Sequence, residues 1–580
     1  VVNAEMNAES MGVETGRKCP GFPRQAAEHC HVRTVLFARF LHDRYFYKNG
    51  HRPQQVSLNR REVPMRFPRK FATKVVAGLL AAGMLISNTG AVFAQAARTA
   101  NWTVSITYQN IGTADTPVTL NLYPENSSTP ITLGPSALPA SNPLKQGAAT
   151  SFFVGSVNNP SFTQGNGVMS SEQPVVATVV QFSPDPGFKM RLLYNGFSDS
   201  KSATQYLVAT TLLNRFSRTT VFSIQNTESQ PIDVTVNFYN ADTNPASLAS
   251  TKTLVIPANS SKFIRMDEAG DTGLPASTTV FNGSAIITAK IQGSQTDAEV
   301  VAAASEYYVD RPVATNFEGQ PLSDGGTLIN MATALCRRFG LQTFYAIQNA
   351  SLTQATSITV RYFNLDGTPK AVDGPIAVNA GGKTSPNTCA PSDGTDMSNF
   401  TGSATIESTG GVPIVAIGKA QGELPTPPAA QAEFLTAFLG EKTGSQKLAM
   451  PFVRWGSDAR FNDPTNNGGV QRTFIAIQNI GGTAIPAGQL KIEYRDVDGA
   501  LIATQTNSEP LAPKAKFNSD ANAAGALGQN GMNAGEFGYY PANKFGGGVQ
   551  IIGPAGAQLI AIARVQHPGA GEDYNAVPVP

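Results

Sequence analysis

Few side chains in this chain of 580 residues could do covalent chemistry. Four of its five histidines (His29, His31, His42, His51) fall within the first 64 residues, which leaves His567 as the sole imidazole beyond them. Serine–histidine hydrolysis, cysteine–histidine attack and multi-histidine metal sites all need an imidazole held beside a partner. His567, in a Gln-His-Pro-Gly stretch, is expected to be a solvated loop residue. No glycine-rich phosphate loop stands between a strand and a helix. Acidic pairs such as Asp496 and Asp498 lack the further spaced carboxylates and terminal glutamate of a calcium loop, and hairpin turns explain them. A glycosidase-type carboxylate pair assembled from distant loops stays open as a possibility. The expectation is no enzyme, no catalytic residues, no cofactor and no metal.

Cysteine gives one firmer reading. Cys19 and Cys30 lie near the start, and Cys336 and Cys389 form an isolated pair. In an oxidising compartment such a pair forms a disulfide, and otherwise it is two buried thiols. Closing this loop would stabilise the fold by about 4 kcal/mol.

The most individual material lies toward the C-terminus. An insertion, Trp455-Gly456-Ser457-Asp458-Ala459-Arg460-Phe461-Asn462-Asp463, precedes a strand-like run, and Phe537, Tyr539 and Tyr540 follow in a Gly/Asn-rich stretch. Aromatic faces beside amides and acids suit sugar stacking. Trp455, Asp458, Asn462, Asp463, Tyr539 and Tyr540 are therefore the candidate ligand-binding residues. The alternative is that these rings pack the insertion onto its own domain.

The elements that must position these groups are read from a recurring landmark. Gln-Asn occurs at Gln109-Asn110, Gln225-Asn226, Gln348-Asn349 and Gln478-Asn479, each time after a strand-like run such as Phe344-Tyr345-Ala346-Ile347. Domain-sized spacing of one landmark predicts one unit copied four times. Each pair is followed by turn residues and a period-2 strand, as in Val234, Val236 and Phe238 alternating with Thr235, Asn237 and Tyr239. An aromatic-Gly motif (Phe281-Asn282-Gly283-Ser284-Ala285, Phe400-Thr401-Gly402-Ser403-Ala404, Phe545-Gly546-Gly547) opens another strand, and an apolar strand such as Val412–Ile417 closes the unit. The first copy lacks a clear form of this motif. About seven short strands in each of these units, without an amphipathic helix, describe a β-sandwich.

Met65–Lys70 is a basic n-region, Val75–Ile86 an apolar h-region and Ala94-Gln95-Ala96 a small-x-small cleavage site, so residues 65–96 read as a signal peptide. Residues 1–64 then read as a non-native upstream extension, disordered if translated at all; the alternative is a cytoplasmic extension before a signal anchor. Sandwich units are expected at 97–204, 205–326, 327–445 and 446–580, the last with insertions. Residues 1–96 hold 14 of the 43 Lys+Arg and 6 of the 41 Asp+Glu, which leaves the remainder at a net −6. That balance argues against nucleic acid as a partner. No second apolar stretch is long enough for a membrane span in the mature chain. Three apolar linking segments (from Leu207, Leu328 and Leu448) serve four copies, so one terminal unit should be a strand short. An unpaired sheet edge there could support head-to-tail self-association, unless a loop or the segment after Ala97 covers it.

The aromatic-x-Ile-Gln-Asn strand, the Val-Thr-Val-x-Phe-Tyr type strand, the Phe-x-Gly-Ser-Ala strand and the Pro-Ile-Val-Ala closing strand resemble those of secreted bacterial cell-surface proteins built of tandem immunoglobulin-like repeats. The resemblance covers nearly all of residues 99–580. It implies an all-β fold of four tandem immunoglobulin-like β-sandwich domains in series after a cleaved signal peptide. It further implies a secreted, extracellular, non-enzymatic structural or adhesive role with self-association or cell-surface glycan or protein partners. The alternative is a carbohydrate-binding adhesin that uses the aromatic loops of the fourth unit.

Overall fold

The computed structural model describes residues 32–39, 99–157, 159–185, 190–243, 247–426, 430–463, 469–568 and 570–579. The expected signal peptide, 65–96, lies outside them, as does the upstream segment except for 32–39. Val32–Arg39 is a strand. Among the described residues no helix is long and apolar enough to cross a membrane.

The fold is all-β and antiparallel. Period-2 alternation produces its strands: in Ile232–Asn240 the side chains of Ile232, Val234, Val236 and Phe238 are buried while those between them face outward. Strands so patterned must stack their apolar faces, and β-sandwich-like sheet pairs result. A five-stranded sheet in the order Ser247–Ile256, Ile232–Asn240, Phe281–Ile291, Gln205–Leu213, Gln320–Pro321 lies with a four-stranded sheet of Ser261–Arg265, Arg218–Asn226, Val300–Tyr308 and Ala314–Glu318. The same order recurs in the sheets that begin at Ile131–Leu133 and Ala149–Phe153, and again in those of Leu501–Thr506 and Lys516–Asp520. Around Leu341–Asn349 the two sheets join into one of eight strands through the Cys336↔Gln342 and Arg338↔Leu341 pairs.

The Gln-Asn landmark sits at the same place in every pair, at the end of an inner strand. Asn226 Nδ2 donates to the carbonyls of Gln230 and Ile256 at 2.7 and 3.2 Å, and its Oδ1 accepts from Glu228 N at 2.8 Å. Asn110, Asn349 and Asn479 repeat this clip onto Leu144, Val378 and Leu511. Each is buried, so one amide closes the following turn and ties it to the facing loop.

The aromatic-Gly motif has an equally local cause. A Cβ on Gly283 or Gly402 would lie 2.1 or 1.9 Å from the carbonyl oxygen of Tyr239 or Phe363. In the first sheet pair Gly165 takes the same place, although the Phe-x-Gly-Ser-Ala form is lacking: a Cβ there would lie 2.0 Å from Tyr123 O and 2.9 Å from the Phe162 ring. Its aromatic residue stands three positions before the glycine instead of two, which hid it from the sequence pattern.

The sheet pairs do not run end to end. Ser284 Oγ donates to Gly381 O at 2.8 Å, and Ser403 Oγ donates to Lys514 O at 3.0 Å, joining second to third and third to fourth. Asn166 Nδ2 donates to Asn259 O at 3.1 Å between first and second. The fourth then returns to the first, where Gly547 N donates to Ala149 O at 2.9 Å. Four edge strands, Arg191–Asn195, Ala314–Glu318, Ala430–Leu439 and Ala570–Asn575, touch one another round a closed circuit. Trp102, Leu192, Tyr307, Ala314, Leu435 and Ala570 form a single apolar cluster there.

Candidate functional site

Ser457 caps a short helix, Asp458–Asn462, by accepting from Arg460 N. Trp455 is only 7% exposed, its ring edge-on to Phe474 at 5.4 Å. Trp455 also exchanges backbone hydrogen bonds with Phe537 at 2.9 and 2.8 Å. The Arg472 guanidinium lies over both Trp455, at 5.0 Å, and Phe461, at 4.4 Å, and it pairs with Asp458. Tyr539 is buried, with its hydroxyl accepting from Gln471 N at 2.7 Å, and burial raises its phenol above the ordinary range. Tyr540 is half-buried and its hydroxyl accepts from Val497 N at 3.3 Å. Asn462 is exposed and Asp463 half-buried. Trp455 and Asp458 meet at Arg472, and the buried rings of Trp455 and Tyr539 pack the insertion onto its own sheets. A depression of about 380 Å³ lies elsewhere, between residues 479–489 and 554–558, and none of the six lines it.

His567 also departs from expectation. It is 3% exposed, at the end of Leu559–His567, where it pairs with Ala570 as the chain turns back into Ala570–Asn575. The strand carries the imidazole inside instead of leaving it on a solvated loop. The cysteine pair forms as expected: Cys336 and Cys389 are bonded, with Cα atoms 4.9 Å apart.

The ionisable groups that do converge are where the edge strands meet. Glu306 is fully buried, accepts from Arg218 Nη1 at 2.7 Å and pairs with Lys419 of the next sheet pair. Burial pushes this carboxyl up, but Lys419 and Arg218 outweigh it and hold it at about 2. Asn195 N donates to Glu318 Oε1 at 2.6 Å, and Asn195 Nδ2 to Asn575 O at 2.7 Å. Glu572 accepts from Thr315 Oγ1 at 2.9 Å and Ala437 N at 3.2 Å, while Asp573 accepts from Thr436 Oγ1 at 2.7 Å and pairs with Arg564. Burial raises Glu318 and, more strongly, Glu572. These acids sit inside the molecule and bond across sheet pairs; their geometry fixes one relative orientation of the four.

Two surface features escaped the sequence reading. Phe216 and Phe339 stand 58% and 63% exposed, both at positive φ, on hairpin tips next to the linking strands. Arg215 lies over Phe216 at 4.9 Å and Arg338 over Phe339 at 4.7 Å. The parallel Asn-Arg-Phe-Ser-Arg and Arg-Arg-Phe-Gly runs were the available signal. The other is the strand that fills the position where a terminal unit was expected to be one strand short: Val32–Arg39, between Gln164–Ser171 and Phe197–Ser198 of the first sheet pair. Neither a loop nor the segment after residue 97 takes this place. No protein-family model matches the chain, and a search of curated proteins returns no match.

Proposed function

We propose that this chain is an exported, non-enzymatic structural or adhesive protein of a cell surface. In this reading residues 65–96 are a signal peptide, and residues 97–580 hold four copies of an immunoglobulin-like β-sandwich. The copies close into one block, and contacts with a second copy or with cell-surface partners run through sheet edges and end loops. The observation that supports it best is the use made of the ionisable groups. Glu306, Glu572, Asp573 and Arg564 bond between or within sheets in the interior instead of lining an open cleft. A rigid block that displays loops needs such joints, and a catalytic centre needs groups that substrate can reach. Immunogold labelling of intact cells with antibody to residues 97–580 tests the proposal: label at the cell surface is expected, and label confined to the cytoplasm overturns it.

A further inference from the structure

In three sheet pairs the position beside the glycine-bearing strand is filled by the strand that precedes the Gln-Asn strand in the chain. Gln205–Leu213 lies between Phe281–Ile291 and Gln320–Pro321, and Lys447–Met450 lies between Gly548–Ile552 and Val577–Pro578. Leu328–Arg338 pairs with Phe400–Ser408, with Asn330 bridged to Glu441 on its other side. In the first sheet pair the same position belongs to Val32–Arg39. All eight of its residues pair with Gln164–Ser171, and Thr34 and Val35 also pair with Ser198 and Phe197. Residues 40–102 intervene before the next strand of that pair, Thr103–Asn110.

A slot with unpaired backbone groups on both walls recognises an extended segment through main-chain hydrogen bonds, however that segment is tethered. The floor of this slot is apolar: Val32–Arg39 lies across from Thr103–Asn110 and Val175–Phe182, whose Val104, Ile106 and Val179 belong to the buried core. An empty slot would expose that floor to water, which favours refilling. The segment itself reads Val-Arg-Thr-Val-Leu-Phe-Ala-Arg, with an unbroken apolar run at Val35-Leu36-Phe37-Ala38.

We propose that the slot between Gln164–Ser171 and Phe197–Ser198 is a strand-accepting site, and that Val32–Arg39 of this chain is its exchangeable donor strand. Cutting the chain between residues 40 and 98 converts the donor from part of the fold into a bound peptide. The inference takes residues 1–64 as a translated part of the chain and stands whether or not that chain is displayed on a surface.

The test uses the full chain with a site-specific protease sequence inserted between residues 40 and 64. After cutting, the fragment that holds Val32–Arg39 is expected to co-elute with the rest on gel filtration. Removing it under mild denaturant should lower the melting temperature. It should also release amide protection across Gln164–Ser171 while Arg472–Asn479 keeps its own. A fluorescent peptide of residues 32–39 should rebind and restore both, with a shuffled peptide inert. The same peptide carrying Val35→Pro should bind at least about tenfold more weakly, since proline cannot complete a central ladder. Unchanged protection across Gln164–Ser171 after stripping, or equal binding of native and shuffled peptides, overturns the proposal.

Discussion

Asn349 shows how much one side chain of the Gln-Asn landmark holds. Its Nδ2 donates to Gln354 O at 2.7 Å and Val378 O at 3.3 Å, and its Oδ1 accepts from Ser351 N at 2.9 Å. Asn349→Ala leaves these backbone groups without partners and should destabilise the protein by about 2–4 kcal/mol. Urea denaturation measures this, with Gln354→Ala as a control that should change little, because only its backbone takes part. Glu306 makes the pH-dependent contribution. Its folded pKa is about 2 against an ordinary 4.5, so its stabilisation is present above pH 4.5 and is lost as pH falls from there toward 2. Glu306→Gln should flatten that acid limb in melting curves taken from pH 2 to 5. At neutral pH it should cost about 3–5 kcal/mol, because Arg218 and Lys419 lose a buried counter-charge. The spacing of the Gln-Asn pairs was legible in the sequence; the reason for it was not. Asparagine reaches its carbonyl partners about thirty residues away, at the next loop, and no local pattern marks such an acceptor.

At the scale of strands, alternation was the reliable signal. Val234, Val236 and Phe238 face the core because period 2 leaves them no other face. What alternation could not give was partner choice. Val32–Arg39 falls within a stretch read as disordered, and its neighbour in the sheet is more than a hundred residues away. The insertion around Trp455 was ambiguous for the opposite reason: aromatic and acidic residues carry the same local signature whether they meet a sugar or pack, as Trp455 does, on Arg472 and Phe474. The Cys336–Cys389 bond was legible, because two isolated cysteines have few alternatives. It ties the strand Leu328–Arg338 to the loop ahead of Phe400–Ser408. Replacing both cysteines with serine should cost about 4 kcal/mol in the chain-entropy account. Denaturation with and without reductant checks it: the native protein should lose stability on reduction, whereas the double variant should not respond.

The closed circuit of sheet pairs left almost no trace in the sequence, because many bonds across its seams end on backbone carbonyls. Carbonyls of Asn259, Gly381 and Lys514 accept across three of them, and any residue type offers a carbonyl. Glycine marks two seams by close approach. Gly367, at φ +87°, would place a Cβ 2.3 Å from Pro513 O, and Gly499, at φ +86°, would place one 2.2 Å from Gln146 O. These are equivalent points on the third–fourth and fourth–first seams, so the two seams should respond alike. Gly499→Ala forces the last sheet pair away from the first and should raise the radius of gyration in solution scattering. The sandwich cores should stay folded, since Tyr494 and Ile492 lie behind the seam. Gly367→Ala should open its own seam by the same route. Gly482→Ala, where an added Cβ meets nothing within 4 Å, should leave the scattering curve unchanged. Should Gly499→Ala scatter and melt as the native protein does, the fourth–first contact would not hold the block closed. The joint between Arg191–Asn195 and Ala570–Asn575 would then close the circuit without it.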